Sequence, residues 1–224
     1  MEEQSTILLF GGSQNTGLET ARLLTARGDH VRALVRPVSD RSGLEACGAA
    51  LVEGNVLDHG AVEAAFLAGP IDAVVWTIGG TRGGPRPDVA GVRNLIAAAE
   101  QSRVKRVVMV TAVGAGDSRD ALSDRAWSML GKVIELKTEA ENLLTASELD
   151  WTILRPGGMG SGPATGTAIK TEDHAAMGMI QRADLAQLIV DCLDDAGTVG
   201  RIYHAIDPQA ADTPPLQREA DAPG

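Results

Sequence analysis

The stretch Thr6–Pro37 constrains this chain more than any other. Thr6–Phe10 (TILLF) is a short apolar run, and it gives way at once to Gly11, Gly12, Ser13, Gln14, Asn15, Thr16 and Gly17. From Leu18 onward, Leu18, Ala21, Leu23, Leu24 and Ala26 recur at helical spacing. Gly28 and Asp29 then punctuate, and Val31–Val35 (VRALV) opens a second strand ending in Arg36. Strand, turn, helix and strand at this length make a βαβ crossover with parallel strands. Glycines at such a turn let the backbone approach a pyrophosphate, and free N–H groups with the helix dipole favour negative charge there. The unit predicts a bound dinucleotide; the alternative is a tight turn with no guest.

The glycine spacing departs from G-x-G-x-x-G, since Gln14 stands where a middle glycine is expected between Gly11 and Gly17. At the end of the second strand, an acidic residue would bind a ribose 2′-OH, whereas Arg36 can pair with a 2′-phosphate. Arg36 therefore predicts NADP(H) in preference to NAD(H), unless it is an ordinary solvated arginine. A third strand, Ala50–Val52, leads into a short turn, Glu53–Asp58, placed where an adenine ring would lie.

The alternation continues down the chain. Ile71–Ile78 (IDAVVWTI) reads as a buried strand, followed by Gly79, Gly80, Thr81, Arg82, Gly83 and Gly84, where open parallel sheets bind ligands. Pro87–Gln101 reads as a helix, Val104–Val110 as a strand, Leu130–Ser147 as a helix and Trp151–Arg155 as a strand. Arg182–Leu193 is a further helix and Tyr203–Ile206 a last short strand. The fold class expected is α/β: a Rossmann-like, doubly wound parallel sheet with helices on both faces, in a single domain over residues 1–206. Residues 114–128 are polar and read as a mobile loop or lid, 160–180 as a second substrate-side insertion, and 207–224 as a disordered tail poor in large apolar groups.

Composition excludes some roles. At 224 residues and 44% hydrophobic, the chain can bury one full core. Its net charge of −10 opposes non-specific contact with nucleic acid or an anionic membrane. No apolar run reaches spanning length. Cys47 and Cys192 fit a reducing cytoplasm without disulfides, and the acidic N-terminus Met1–Gln4 does not look like a targeting signal. His30, His59, His174 and His204 form no metal-ligand spacing, so no metal is expected. The partners expected are a small-molecule substrate and, at most, further copies of the chain, as a monomer or small homo-oligomer.

Several segments together resemble the atypical short-chain dehydrogenases/reductases of the NAD(P)H-binding, NmrA-like kind, which include the biliverdin-IXβ reductase/flavin reductase branch. They are LLFGGSQNTG at 8–17, ALVRP at 33–37, VEGNVLD at 52–58, DAVVWTIGGTRG at 72–83, GVRNLIAAAEQSRVKRVVMVTAVG at 91–114, LKTEAENLLTASELDWTILRPGGM at 136–159 and IQRADLA at 180–186. The resemblance implies that Gly11, Gly12, Ser13, Gln14, Asn15, Thr16 and Gly17 cradle the pyrophosphate and Arg36 takes the 2′-phosphate. Asn55 and Val56 would flank the adenine, although the family usually has Asp at the first of these. Thr77, Ile78, Gly79 and Thr81 would line the middle of the cofactor. Thr111 would face the nicotinamide, and Pro156, Gly157, Gly158 and Met159 would close over its ring.

The catalytic side departs further from the pattern. Short-chain dehydrogenases pair a Tyr with a Lys four residues later, the Lys lowering the phenol's pKa. Here Val133 precedes Lys137 at that spacing, and the sole tyrosine, Tyr203, lies far downstream. Thr111 is followed by Ala112 where a serine is usual. Thr111 remains a candidate to hydrogen-bond an acceptor, and Lys137 a candidate to bind cofactor ribose or a developing anion. Lys137 can equally form a solvated pair with Glu141 on the same helix face. His174 is either a general acid in a substrate lid or polar surface. Arg182 and Asp184 read as a charged pair or, by the resemblance, as a helix start with Asp184 complementing the dipole. Trp76, Trp127, Met129 and Trp151 read as core or pocket wall.

Three functions fit. The first is an NADPH-dependent oxidoreductase passing hydride to a small conjugated acceptor such as a flavin or quinone, whose proton can come from solvent. The second is a non-catalytic NADP(H)-sensing regulator. The third is an isomerase, epimerase or dehydratase in a biosynthetic pathway.

Overall fold

The computed structural model describes residues 4–79 and 85–210. In chain order the elements are β1 (Thr6–Phe10), α1 (Asn15–Arg27), β2 (His30–Val35), α2 (Ser42–Ala46), β3 (Ala50–Glu53), α3 (His59–Leu67), β4 (Ala73–Trp76), α4 (Asp88–Ser102), β5 (Arg106–Val110), α5 (Asp124–Thr145), β6 (Asp150–Pro156), β7 (Gly158–Gly160), β8 (Ile169–Thr171), β9 (Met179–Gln181), α6 (Arg182–Asp194) and β10 (Arg201–Ile206). Short 3₁₀ turns occupy Gly116–Ala121 and Ala196–Thr198.

The main sheet runs β3-β2-β1-β4-β5-β6-β10-β8, parallel except for the antiparallel edge strand β8. Its central strands β1 and β4 are almost wholly apolar because helices cover both faces; Val74, Val75, Leu8 and Leu9 are fully buried. Burying each such Val or Leu contributes about 1.5–3 kcal/mol. On one face, α1 and α6 pack against each other and enclose Ile7, Leu9, Leu24, Val75 and Ile189. On the other, α3, α4 and α5 enclose Phe10, Phe66, Trp76, Leu95 and Leu144. The chain order of the strands reverses between β1 and β4. There the connections leave in opposite directions and open a crevice at the strands' C-terminal ends.

The main boundaries have local causes. Gly28 adopts φ 102° and its N–H closes the last turn of α1 on Leu24 O and Thr25 O. Asp58 accepts from the Gly60 and Ala61 amides and so starts α3, which shows no clear amphipathic signal. Arg103, at φ 59°, ends α4 and delays β5 to Arg106.

Three expectations are corrected. The fifth helix starts at Asp124, not Leu130: Ser123 Oγ accepts the Ala126 N–H, and of the first two turns only Ala126 and Trp127 pack on the fold, against Val113, Ala115, Leu122 and Ile134, while Ser128, Met129 and Leu130 are exposed. Residues 114–128 are therefore a 3₁₀ turn and the opening of α5 rather than a free loop. The ordered fold also runs past Ile206: Asp207 is buried and accepts from the hydroxyls of Thr165 and Thr167, and Ala210 is buried too. The rest of the expected tail, 211–224, lies outside the described residues.

Candidate functional site

The glycines after β1 are demanded by close packing. Gly11 sits at φ 93°, and a Cβ there would lie 2.8 Å from Thr77 Oγ1 and 2.9 Å from Ile78 N. At Gly17 a Cβ would come within 2.1 Å of Gly11 O. Thr77 holds this junction by donating both its N–H (2.9 Å) and its hydroxyl (3.1 Å) to Phe10 O. Gln14 needs no such permission. Its backbone is extended (φ −161°), its side chain is exposed on the rim, and it makes no capping bond to α1. With no side-chain cap and no acidic residue in the first turn, the α1 amides face outward. That is an anion site by construction.

A cleft of about 440 Å³ extends from these amides along the strand ends. Its wall contains Gly11, Gly12, Ser13, Gln14, Asn15, Thr16 and Gly17, together with Arg36, Asn55, Val56, Thr77, Ile78, Gly79 and Met159. These predicted residues thus meet in one place; Thr81 lies outside the described residues. The guanidinium of Arg36 is exposed at one end and has no side-chain partner among the described residues. Asn55 Oδ1 accepts the Leu57 N–H at 3.1 Å, and Asn94 donates to Val56 O at 2.8 Å, so the expected adenine turn is braced from within and from α4. Sequence reasoning missed Ser39 beside Arg36, and Pro85, Pro87 and Arg182 elsewhere on the wall.

Other predicted site residues are not on that wall. Of Pro156, Gly157, Gly158 and Met159, only Met159 reaches it. The glycines serve a two-stranded ribbon, β7 against β9. A Cβ on Gly157 would lie 2.0 Å from Gly178 O, and one on Gly158 would lie 2.3 Å from Met179 Sδ. Lys137 is buried against α4, with Nζ 3.4 Å from Asp88 Oδ1, and Asp88 also takes Arg86 Nε at 3.0 Å. Burial pushes the Lys137 ammonium below its ordinary range while Asp88 opposes that shift. A solvated Lys137–Glu141 pair is therefore not formed.

Glu141 belongs instead to a chain of polar and charged groups beneath the C-terminal half of the sheet, buried at Thr111, Glu141 and Arg155 and open to solvent at Asp117. Thr111 donates its hydroxyl to Glu141 Oε1 at 2.6 Å. Arg155 grips the same carboxylate through Nε (3.0 Å) and Nη2 (2.7 Å), and gives Nη1 to Asp117 Oδ1 at 2.6 Å. Side-chain exposure is 2% for Arg155 and 3% for Glu141, so each charge depends on the other. Asp117 Oδ2 lies 2.8 Å from His174 Nδ1, and His174 Nε2 lies 3.1 Å from Ile202 O. Partial burial would raise the Asp117 carboxyl, but its bonds to Arg155 and His174 outweigh this and hold it at about 2.

Several readings change accordingly. His174 is neither a free surface histidine nor poised over the cleft: it is tied at both nitrogens and stacked on His204 with ring centroids 5.1 Å apart. His204 is buried, and that burial keeps it below the ordinary histidine range. The 114–128 segment is pinned, since Gly116 N donates to Thr138 Oγ1 at 2.9 Å and Asp117 is held by Arg155. Arg182 and Asp184 do not pair. Asp184 accepts from the Thr165 and Gly166 amides, whereas Arg182 Nη1 donates to Ser161 Oγ at 2.7 Å. Met129, expected in the core or pocket wall, is exposed on α5. Trp76 packs on Phe10, and Trp127 lies under the Arg119 guanidinium at 4.5 Å.

The geometry agrees with comparison to known proteins. The family model described as NAD(P)H-binding matches residues 11–196, from the first glycine of the cradle to the end of α6. The chain belongs to this NAD(P)H-binding family. A Bacillus subtilis (strain 168) protein named as an uncharacterized sugar epimerase, YhfK, is 33% identical over 215 residues, covering 93% of this chain and 95% of its own. The solved structure of ChuY from Escherichia coli O157:H7, described as an anaerobillin reductase, is 34% identical with a TM-score of 0.82, covering 91% of this chain and 98% of that one. ChuY from E. coli CFT073 is 33% identical with a TM-score of 0.81, covering 92% and 98%. The chain is thus a Rossmann-fold, NAD(P)H-binding protein of oxidoreductase-like type, and its likeness to atypical short-chain dehydrogenases/reductases holds over nearly its whole described length. No described helix is long and apolar enough to cross a membrane.

Proposed function

We propose that the protein is an NADPH-dependent reductase that delivers hydride to a small conjugated acceptor. One observation carries this reading: a single cleft holds Arg36, which has no side-chain partner among the described residues, the open amides of α1, and Met159 beyond β6. The order of these groups across the sheet, from β2 through β1 to β6, fits a dinucleotide with an extra phosphate at one end and its reactive ring at the other. The glycines at 11 and 17 are required by the chain's own packing of β1, α1 and Thr77, and that packing leaves the uncapped α1 amides open to the same guest. In this assignment Arg36 and Ser39 bind the 2′-phosphate, Gly12–Gly17 the pyrophosphate, and Met159 covers the nicotinamide. When bound, the reduced cofactor supplies the hydride.

Among the described residues, the candidates for acid catalysis are engaged elsewhere. Lys137 is committed to Asp88, Thr111 to Glu141, and Tyr203 lies in β10 with Lys170 Nζ 5.9 Å from its ring centroid. A conjugated ring system suits such a site, since it can accept hydride and then take a proton from solvent. The likeness to ChuY supports a reductase over an epimerase. The test is loss of reduced-nicotinamide absorbance on mixing protein, NADPH and a panel of flavins and quinones. Turnover is expected; NADP(H) binding without turnover on any acceptor would point to a sensor, and solvent-deuterium exchange into a sugar without net redox would point to an isomerase.

A further inference from the structure

His174 sits in the 172–178 connection between β8 and β9, with a quarter of its side chain exposed. Its Nδ1 lies 2.8 Å from Asp117 Oδ2 and its Nε2 3.1 Å from Ile202 O. A carboxylate and a backbone carbonyl only accept, so both bonds form only when both ring nitrogens carry a proton. The neighbouring ring differs. His204 is fully buried, gives Nδ1–H to Ala176 O at 2.7 Å, and has no partner for Nε2 among the described residues. A proton on that nitrogen would be an unsatisfied buried donor and would set a second charge against the stacked His174 ring. Burial, together with the His174 and Arg155 charges, keeps His204 below the ordinary histidine range. The pair therefore holds one charge, on His174. That charge also completes the polar chain beneath the sheet: Glu141, Arg155, Asp117 and His174 alternate in sign and balance only when His174 is an imidazolium. On the connection itself, Glu172 pairs with Arg201 of β10 at 3.2 Å and Asp173 accepts the Ala175 amide at 3.0 Å.

The same connection reaches the cofactor cleft. Four residues after His174, Gly178 O accepts the Gly158 N–H at 2.9 Å, and Ile180 of β9 pairs with Met159, which is on the cleft wall. We propose that His174 is a pH-sensitive latch: charged, it fastens the β8–β9 connection to both the 116–121 turn and β10, and on losing a proton it lets go of β10 and loosens the ribbon that carries Met159. Which proton leaves follows from the acceptors. Asp117 is a carboxylate and makes the stronger, charge-assisted bond, so the neutral ring keeps Nδ1–H on Asp117 and turns a bare Nε2 toward Ile202 O, lone pair against lone pair. His174 is thus a positioning residue for the ribbon. The latch stands whether or not the cleft turns over an acceptor.

The experiment is nitrogen-resolved histidine NMR on the full chain from about pH 5 to pH 9, which spans the range over which histidine changes charge. At the acid end His174 should carry a proton on both nitrogens and at the alkaline end on Nδ1 alone, while His204 keeps Nδ1–H and a bare Nε2 throughout. The Gly158 and Asp207 amides, which bond Gly178 O and Met179 O, report on the ribbon. Their protection from hydrogen exchange, corrected for intrinsic rate, should fall about fivefold across the same transition, as for one net hydrogen bond. Amides of β1 and β4 should not respond. His174→Gln, which cannot charge, should show the lower protection at both ends. A His174 ring with the same protons at every pH, a last proton on Nε2 rather than Nδ1, or titration of His204 in its place would overturn the proposal, and these readings need only the wild-type protein. Protection that does not change with the His174 transition, or that changes equally in His174→Gln, would overturn it as well.

Discussion

The two halves of the sheet use polar groups in opposite ways. Around β1–β4 they are exposed and unpaired: the α1 amides and the Arg36 guanidinium face a cleft and wait for a ligand. Around β5 and β6 they engage one another, from Thr111, Glu141 and Arg155 in the interior to Asp117 and His174 at the surface. Free donors in a crevice cost little because water solvates them until an anion arrives, whereas a charge inside the fold must find a fixed partner. The first half is thus built to bind, and the second to hold the substrate-side connections in place. Substitutions in the two halves should fail differently: ligand affinity in one, stability in the other.

The largest effect is expected from Glu141→Gln, which leaves the Arg155 guanidinium buried opposite a neutral amide. Loss of a buried pair's partner costs about 3–5 kcal/mol, to be read as a fall in the denaturant midpoint; a loss of NADPH affinity with normal stability would break the division. Next, Arg36→Ala should weaken NADPH by about 1.5–3 kcal/mol, the range for a charged hydrogen bond, and leave NADH nearly unaffected. Isothermal titration with both coenzymes checks this, and equal losses would remove Arg36 from the 2′-phosphate role.

Gly17→Ala sharpens the comparison from the binding side. Its Cβ would press on Gly11 O, and overpacking of this kind costs about 1–3 kcal/mol. Cofactor affinity should fall along with thermal stability, because the cradle and the β1–α1 junction are the same backbone. The smallest effect concerns acid. Asp117 is held at about 2 against an ordinary 3.8, so its contribution is fully present above the unfolded value and is lost as pH falls through the folded one. Asp117 is also largely exposed, which screens the effect. Wild type should gain stability over Asp117→Asn between about pH 2 and pH 4 and hold that margin above; parallel acid-unfolding curves across that window would sink this.

How much was legible in the sequence follows the same division. The cradle residues are neighbours in the chain, so spacing exposes them, and Arg36 follows its strand directly. The network's partners are 14 to 57 residues apart, and no local pattern links Arg155 to Glu141 or Asp117 to His174. Helix α5 was placed late because only Ala126 and Trp127 of its opening turns pack on the fold, too few to show a helical period, and β7, β8 and β9 escaped because three residues are too few to show alternation. Arg182 was seen as half of a charged pair with Asp184, yet the fold turns the two apart, one to Ser161 and the other to the 165–166 amides.

What the sequence determined by itself is the alternation of strand and helix and the glycine turn that opens α1, since both depend on contacts a few residues long. Tertiary structure alone decided which of the remaining charged residues stay free. Lys137, Thr111 and Glu141 could each have faced a ligand, but the packing of α4, α5 and β6 brings them to partners in a water-poor interior, where an unpaired charge would be too costly to keep. Arg36 and Arg182 lie where no such partner among the described residues reaches, and water can solvate what they leave open.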